Sequence, residues 1–240
     1  MKTALPLLTA TVVLATSTQA ALLYHYTFDV NSTANSGTGA AVATVQGTPT
    51  ITAGGQSGSY ADFDGGNVAG SDAVNVNVSG DAIVLGSFAI RLYVNDAASG
   101  GTNFDDFLAF TDSNGGAHFL ERSGASGTIA LFGDASISGT TNGLQDGNWH
   151  ELLLTGATSG ADALFTYSVD GTVQGTSTYT GAAAFTLNDI RIAGRVGADN
   201  RFIDAGIDEV QIFNTTTIPE PSSTALLGLG GLALLLRRRR

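Results

Sequence analysis

The chain is written in short alternating runs. Val74, Val76 and Val78 alternate with Asn75 and Asn77. Phe88, Ile90, Leu92 and Val94 alternate with Ala89, Arg91 and Tyr93. A period of two places successive side chains on opposite faces of a strand, so each run predicts a half-buried β-strand. Similar segments recur at Leu22–Phe28, in FDDFLAFTD, GGAHFLERS and GTIALFG, at Trp149–Ala157, in ALFTYSVDGTVQGTSTY, and in NDIRIAGR and GIDEVQIFN. Asp170-Gly171 stands between two such runs, the residue pair of a two-residue hairpin turn. No stretch shows a capped apolar period of 3.6. About a dozen strands at short spacing, with turn residues between them, predict an all-β antiparallel sandwich of two sheets. No fixed-period repeat is visible.

The two ends depart from this pattern. Met1-Lys2, the apolar Ala4–Ala15 and the small residues Thr18 and Ala20 read as a signal peptide over 1–20. That assignment makes the Sec export machinery a partner. At the other end, IPEPSS precedes 12 apolar residues, Ala225–Leu236, and four arginines, Arg237–Arg240. Twelve helical residues reach ~18 Å, against a hydrocarbon core of ~30 Å. The run is therefore a marginal transmembrane helix, and the arginines favour the cytoplasmic side. The expected organisation is a signal peptide over 1–20, a domain over 21–217 and a C-terminal segment over 218–240.

Charge narrows the partners. The 21–217 region has five cations, Arg91, Arg122, Arg191, Arg195 and Arg201, against 20 acids, a net of −15. Such a surface repels nucleic acid and anionic lipid. The chain has no cysteine, so thiol catalysis and disulfides are excluded. Stability must come from a core, which a domain of ~200 residues can bury without staples.

The order of the tail, Pro219, Glu220, Pro221, Ser222, apolar run and Arg237–Arg240, resembles the PEP-CTERM sorting signal of exopolysaccharide-producing Gram-negative bacteria. The resemblance implies processing by an exosortase near Pro219-Glu220-Pro221, transient membrane anchoring, and release to or attachment at the cell surface or biofilm matrix. The domain resembles the laminin-G-like, or concanavalin A-like, jelly-roll family. The carriers are YHYTFD (24–29), ADFDGGN (61–67), FAIRLYVN (88–95), NWHELLLT (148–155), YSVDGTVQG (167–175) and GIDEVQIFN (206–214). The family implies a jelly-roll used mainly to bind glycans or proteins, with structural Ca²⁺ in many members.

Candidate chemistry is sparse. Sandwich glycosidases need paired carboxylates flanking the scissile bond, which the family shows as Glu-x-Asp-x-x-Glu, and that pattern is absent. Asp105-Asp106 and Asp208-Glu209 are adjacent pairs, expected to face opposite sides of a strand. Asp62-x-Asp64 has the right spacing but is expected in a turn with Gly65-Gly66. Glu121 and Glu151 read as solvated surface acids. His25, His118 and His150 fit no zinc spacing and read as framework residues. Gly100-Gly101 and Gly115-Gly116 read as turns. No catalytic residue is assigned, and the chain is expected not to be an enzyme. Calcium is the better site: Asp29, Asn31 and Asp208 belong to the first and last family motifs, and carboxylate and amide oxygens suit Ca²⁺. The alternatives are an Asx-turn at Asp29 and Asn31 and a capping role for Asp208. Two functions stay open, a surface module binding extracellular polysaccharide and a structural matrix protein without a defined ligand, with a glycosidase-like enzyme third. Exposed Tyr60, Phe104 or Tyr179 lining a groove, or Trp149 as a stacking platform, would favour glycan binding.

Overall fold

The computed structural model describes residues 21–66, 71–81, 84–85, 87–96, 104–123, 128–138, 144–182, 185–197, 201–216 and 218. The expected signal peptide, Gly100-Gly101, the Pro-Glu-Pro triplet, the apolar run and Arg237–Arg240 lie outside these residues. The described residues form fifteen strands: β1 (Leu22–Tyr26), β2 (Ala43–Gln46), β3 (Thr50–Ala53), β4 (Ser59–Gly66), β5 (Ala73–Asn77), β6 (Val84–Leu85), β7 (Ser87–Asn95), β8 (Asp105–Asp112), β9 (Ala117–Ser123), β10 (Thr128–Gly133), β11 (His150–Ser159), β12 (Asp162–Val169), β13 (Thr172–Tyr179), β14 (Phe185–Ile192) and β15 (Phe202–Phe213). The one helical turn among the described residues is a 3-10 turn at Ser79–Asp81.

The strands form two layers. One runs β13-β12-β11-β7-β15, with β1 and then β4 and β3 on the far edge of β15. The other runs β2-β5-β14-β8-β9-β10. A single parallel pairing, Phe202 with Asp106, joins them; the other pairings are antiparallel. The alternating runs explain the layering. Phe88, Ile90, Leu92 and Val94 of β7 are buried inward, while Arg91 and Tyr93 remain partly exposed. The Phe88 ring meets Phe110 of β8, Phe165 of β12 and Phe185 of β14 at centroid distances of 6.3, 5.5 and 5.9 Å. Each fully buried ring contributes about 1.5–3 kcal/mol through lost contact with water. Asp170 and Gly171 both take positive φ, 47° and 74°, and turn β12 into β13 as the residue pair predicts.

Four strands escape the periodic reading, β4 and three short ones. β2, β3 and β6 are two to four residues long, too short for alternation to register. Asp62 and Asp64 were expected in a turn and instead lie within β4, where buried Ala61 and Phe63 alternate with them. Gly65-Gly66 closes that strand rather than forming a separate turn, whereas Gly115-Gly116 does lie at the β8–β9 turn.

Candidate functional site

β15 is long enough to pair twice along one edge. Its N-terminal half pairs with β4 as far as Ile207 opposite Ala61, and its C-terminal half pairs with β1 from Val210 opposite Tyr26. Asp208 and Glu209 fall in the notch between the two partners. The register against β7 slips there, and Glu209 takes φ 50°. This bulge sends the two acids to different surroundings.

Asp208 is fully buried. Its Oδ2 accepts the Ser57 N–H at 3.0 Å and its Oδ1 the Glu209 N–H at 2.7 Å. Asp29 Oδ1 accepts the Ser59 N–H at 2.9 Å. The 54–59 loop is thus held between the two carboxylates. The approach requires glycine: a Cβ on Gly58, which has φ 76°, would stand 2.1 Å from Asp29 Oδ1, and one on Gly55 would stand 2.6 Å from Asp208 Oδ2. Burial pushes the Asp208 carboxyl up to about 6, with Glu209 and Asp29 adding to the rise and the two N–H donors opposing it. Asp29 and Asp208 therefore do converge. Asn31 spends its side-chain oxygen on the Thr33 N–H and hydroxyl, at 2.9 and 3.1 Å, in an Asx-turn. Among the described residues no group of three or more His, Cys, Asp or Glu is arranged to hold a metal ion.

The outer face of the second layer carries a groove of about 480 Å³. The register sets Asn77 opposite Asp189 and Asn75 opposite Arg191. These side chains share the groove with Val42, Thr44 and Val196. Asn77 Nδ2 donates to Asp189 Oδ1 at 2.8 Å, and Thr111 Oγ1 donates to Asp189 Oδ2 at 3.3 Å. The Arg191 guanidinium donates to the Arg195 carbonyl at 2.6 Å and to Gln46, and lies 5.2 Å from the Phe202 ring centre. Fixed amide, carboxylate and guanidinium groups beside apolar patches can exchange hydrogen bonds with a polar, uncharged ligand. The strict Asn75/Asn77 alternation was legible in the sequence; the pairing of Asn77 with Asp189 and of Asn75 with Arg191, 112 and 116 residues downstream, was not.

A second recess, of about 380 Å³, gathers Asp62, Asp64, Asp72 and Asp204 with Thr48 and Thr50. Burial raises the Asp62 carboxyl, and the charges of Asp204, Asp64 and Asp72 raise it further.

Glu121 is not the solvated acid it was expected to be. It is 2% exposed and lies opposite the fully buried Asp106. Arg195 spans both, at 2.6 Å to Glu121 Oε2 and 2.9 Å to Asp106 Oδ2, and Arg201 reaches Glu121 at 3.2 Å. The Arg195 guanidinium also stacks 4.0 Å from the Phe119 ring centre. Burial raises the Asp106 carboxyl to about 7, Arg195 opposing and Glu121 reinforcing that rise. Its neighbour Asp105 faces the other way, to Arg122, which also pairs with Asp96. Glu151 is half-buried and accepts from Tyr93 at 3.0 Å. Spatial pairing of cations with acids overrides any reading based on isolation in sequence.

The histidines stand in three settings. His118 is buried against Asp112, at 3.1 Å, and stacks on Phe110. His150 joins Asp170 at 2.7 Å and Asp146 at 3.1 Å. His25 contacts Glu209 at 2.6 Å. Of the four aromatics considered for stacking, Tyr60 and Trp149 are brought together, while Tyr179 and Phe104 pack on other neighbours. Tyr179 is 9% exposed and packs on His118, and Phe104 is 41% exposed beside Phe132. Tyr60 meets Trp149 edge-on at 5.2 Å, while Trp149 Nε1 donates to the Gly54 carbonyl.

A family model described as concanavalin A-like lectin/glucanases superfamily, of laminin-G type, matches residues 69–220. The chain belongs to that superfamily. The PEP-CTERM protein-sorting motif matches residues 217–240 and marks the superfamily domain for export and surface sorting. No curated protein matches the chain. Among solved structures, domain 4 of AbnA, a GH43 extracellular arabinanase from Geobacillus stearothermophilus in complex with arabinotriose, is similar at TM-score 0.56 and 22% identity, over 81% of this chain and 92% of that one. The binding domain of botulinum neurotoxin DC in complex with SialylT is similar at TM-score 0.56 and 10% identity, over 82% and 48%. The binding domain of Paraclostridial Mosquitocidal Protein 1 is similar at TM-score 0.53 and 11% identity, over 82% and 50%. The chain thus spans about half the length of the two toxin domains, and these likenesses show the jelly-roll fold. Among the described residues no helix is long and apolar enough to cross a membrane.

Proposed function

We propose that this is an exported surface protein whose sandwich binds a glycan, without acting as an enzyme, in the groove between β2, β5 and β14. The observation that carries the reading is the row of Asn75, Asn77 and Asp189 side chains along one open face, with the buried Arg191 guanidinium beside them. Sugar hydroxyls both donate and accept, and planar amides and carboxylates match them in pairs. The arabinotriose complex of the AbnA domain and the SialylT complex of the neurotoxin domain support carbohydrate as the ligand class. Extracellular polysaccharide is the partner that the sorting motif favours. Exosortase would cut near Pro219-Glu220-Pro221 after Sec export and removal of residues 1–20, and the C-terminal run would anchor the chain in the inner membrane of a Gram-negative cell until then.

Ca²⁺ belongs to the same proposal. Asp29 and Asp208 would hold it, and it would supply the positive charge that two converging carboxylates lack. Asn31 is committed to its own turn and is the weaker ligand.

The test is a glycan array on the purified protein with and without Ca²⁺. Binding to a defined set of glycans, lost at least ~10-fold in Asn75→Ala as expected for removal of a hydrogen bond worth ~1.4 kcal/mol, supports the groove. Val42, Thr44 and Val196 border the groove where a sugar-binding surface commonly has an aromatic ring, which favours the matrix reading as the second choice. Wild-type protein that binds no glycan in either condition would select that reading.

A further inference from the structure

A chain of polar side chains crosses the outer face of the first layer, away from the groove. β1 and β15 set His25 opposite Gln211, and β7 sets Arg91 opposite Gln211 on the other side. Glu209 reaches the same row because its bulge, with φ 50°, turns its side chain outward beside His25. His25 Nε2 lies 2.6 Å from Glu209 Oε2, and His25 Nδ1 lies 3.0 Å from the hydroxyl of Ser36, an exposed residue in the β1–β2 connection.

The proton inventory of this row is fixed from its far end. Arg91 only donates, so it requires the Gln211 oxygen, Oε1, on its side. The Gln211 amide nitrogen then faces Glu209 Oε2 at 2.9 Å and lies 3.2 Å from His25 Nε2. Glu209 accepts only, so His25 must present Nε2–H to it. On a neutral His25 that leaves Nδ1 as a lone pair, and it takes the Ser36 hydroxyl proton at 3.0 Å in preference to the His25 carbonyl, which lies 3.5 Å from Ser36 Oγ. Nucleophile, base and orienting carboxylate stand in hydrogen-bond sequence. The nucleophile is also held in place. Ser36 N–H donates to the His25 carbonyl at 2.9 Å, and Asn35 Oδ1 accepts both His25 N–H and Gly37 N–H, at 2.9 and 2.8 Å.

We propose that Ser36 is an activated nucleophile, a site of covalent acylation by activated esters, with His25 as its base and Glu209 as the residue that positions the base. As Ser36 Oγ bonds to the acyl carbon, its proton passes to His25 Nδ1. The carbonyl then re-forms, the bond to the leaving oxygen breaks, and His25 returns the proton to the departing alkoxide. The net change is serine hydroxyl plus ester giving seryl ester plus alcohol, with no redox partner. The donor must carry a good leaving group. The backbone N–H groups of residues 36–39 are already committed, to His25 O, Asn35 Oδ1, Leu22 O and Leu23 O, so they do not form an oxyanion hole. For the same reason the seryl ester should turn over slowly and accumulate.

The experiment treats the full chain with p-nitrophenyl acetate and maps acetylation by peptide mass spectrometry. The expected result is a burst of no more than one p-nitrophenolate per chain. Ser36 should be acetylated at least ~10²-fold faster than the exposed Ser159, the gain expected of a positioned general base. His25→Gln should abolish that difference with the circular dichroism unchanged. Imidazole ¹H–¹⁵N spectra of the wild type provide the second readout, free of any folding effect of substitution. Neutral His25 should be the Nε2–H tautomer, and Glu209→Gln should mix the tautomers. Equal acetylation of Ser36 and Ser159, an adduct on the His25 ring alone, or an Nδ1–H tautomer in the wild type would each overturn the assignment.

Discussion

Ile90 shows how one position can carry the fold. It is fully buried in the middle of β7, with Leu154 of β11 on one side and Ile212 of β15 on the other. A carboxylate there would have no cation and no N–H donor. Ile90→Asp should therefore unfold the protein, costing more than ~4 kcal/mol, and urea denaturation measures it. A melting curve like that of the wild type would sink the core assignment. Arg91, one residue on, is not a free surface cation: it donates to Gln211 and lies 3.8 Å from Glu151. Arg91→Asp should cost more than a solvent-exposed charge reversal, because the new carboxylate would face Glu151.

At the scale of elements, charged side chains fasten strands and turns. His150, at the start of β11, bonds Asp170 in the β12–β13 turn and Asp146 before its own strand. Burial disfavours its charged form, but the bonds to Asp170 and Asp146 outweigh burial and raise its pKa above the ordinary 6.5. A histidine raised on folding stabilises the fold fully below its unfolded value, and the gain is lost as pH rises through the folded value. The wild type should thus lose melting temperature relative to His150→Gln as pH is raised from 6.5 upward. Parallel pH curves for the two proteins would contradict this pairing. Arg195 fastens β8 and β9 to the 193–197 turn through Asp106 and Glu121. Arg195→Met leaves two buried carboxylates with one cation fewer and should cost about 3–5 kcal/mol. Denaturant midpoints test this, and a change within error would mean that water already reaches the pair.

At the scale of the molecule, two events extend beyond the sandwich. Ca²⁺ bound by Asp29 and Asp208 would stabilise only the folded state. A 100-fold excess over the dissociation constant is worth about 2.7 kcal/mol, or roughly 5–10 °C for a domain of this size. EDTA should lower the melting temperature by that order, and Asp208→Asn should reduce the difference. A melting curve indifferent to EDTA would leave the two acids as turn caps. Processing is the second. Intact-mass measurement of protein from the native envelope should find residues 1–20 and the Arg237–Arg240 tail removed. Tails retained on most molecules would indicate a plain membrane anchor.

The sequence by itself determined the local order. Alternation at Val74–Val78 and Phe88–Val94 placed strands and their buried faces, because a strand's period of two is a local property. Asp170-Gly171 set its turn because few residue pairs tolerate consecutive positive φ. The tail motif and the family motifs were legible because each is contiguous in the chain. Tertiary structure decided which distant residues meet. Asp29 and Asp208 converge because β15 pairs with β1 and β4 on one edge and leaves a notch between them. Glu121 is buried because Arg195 and Arg201 arrive from a different connection. Ser36, His25 and Glu209 form one row because a bulge turns Glu209 toward β1. Strand register and bulges depend on pairing between segments up to 191 residues apart, and no local period encodes that pairing.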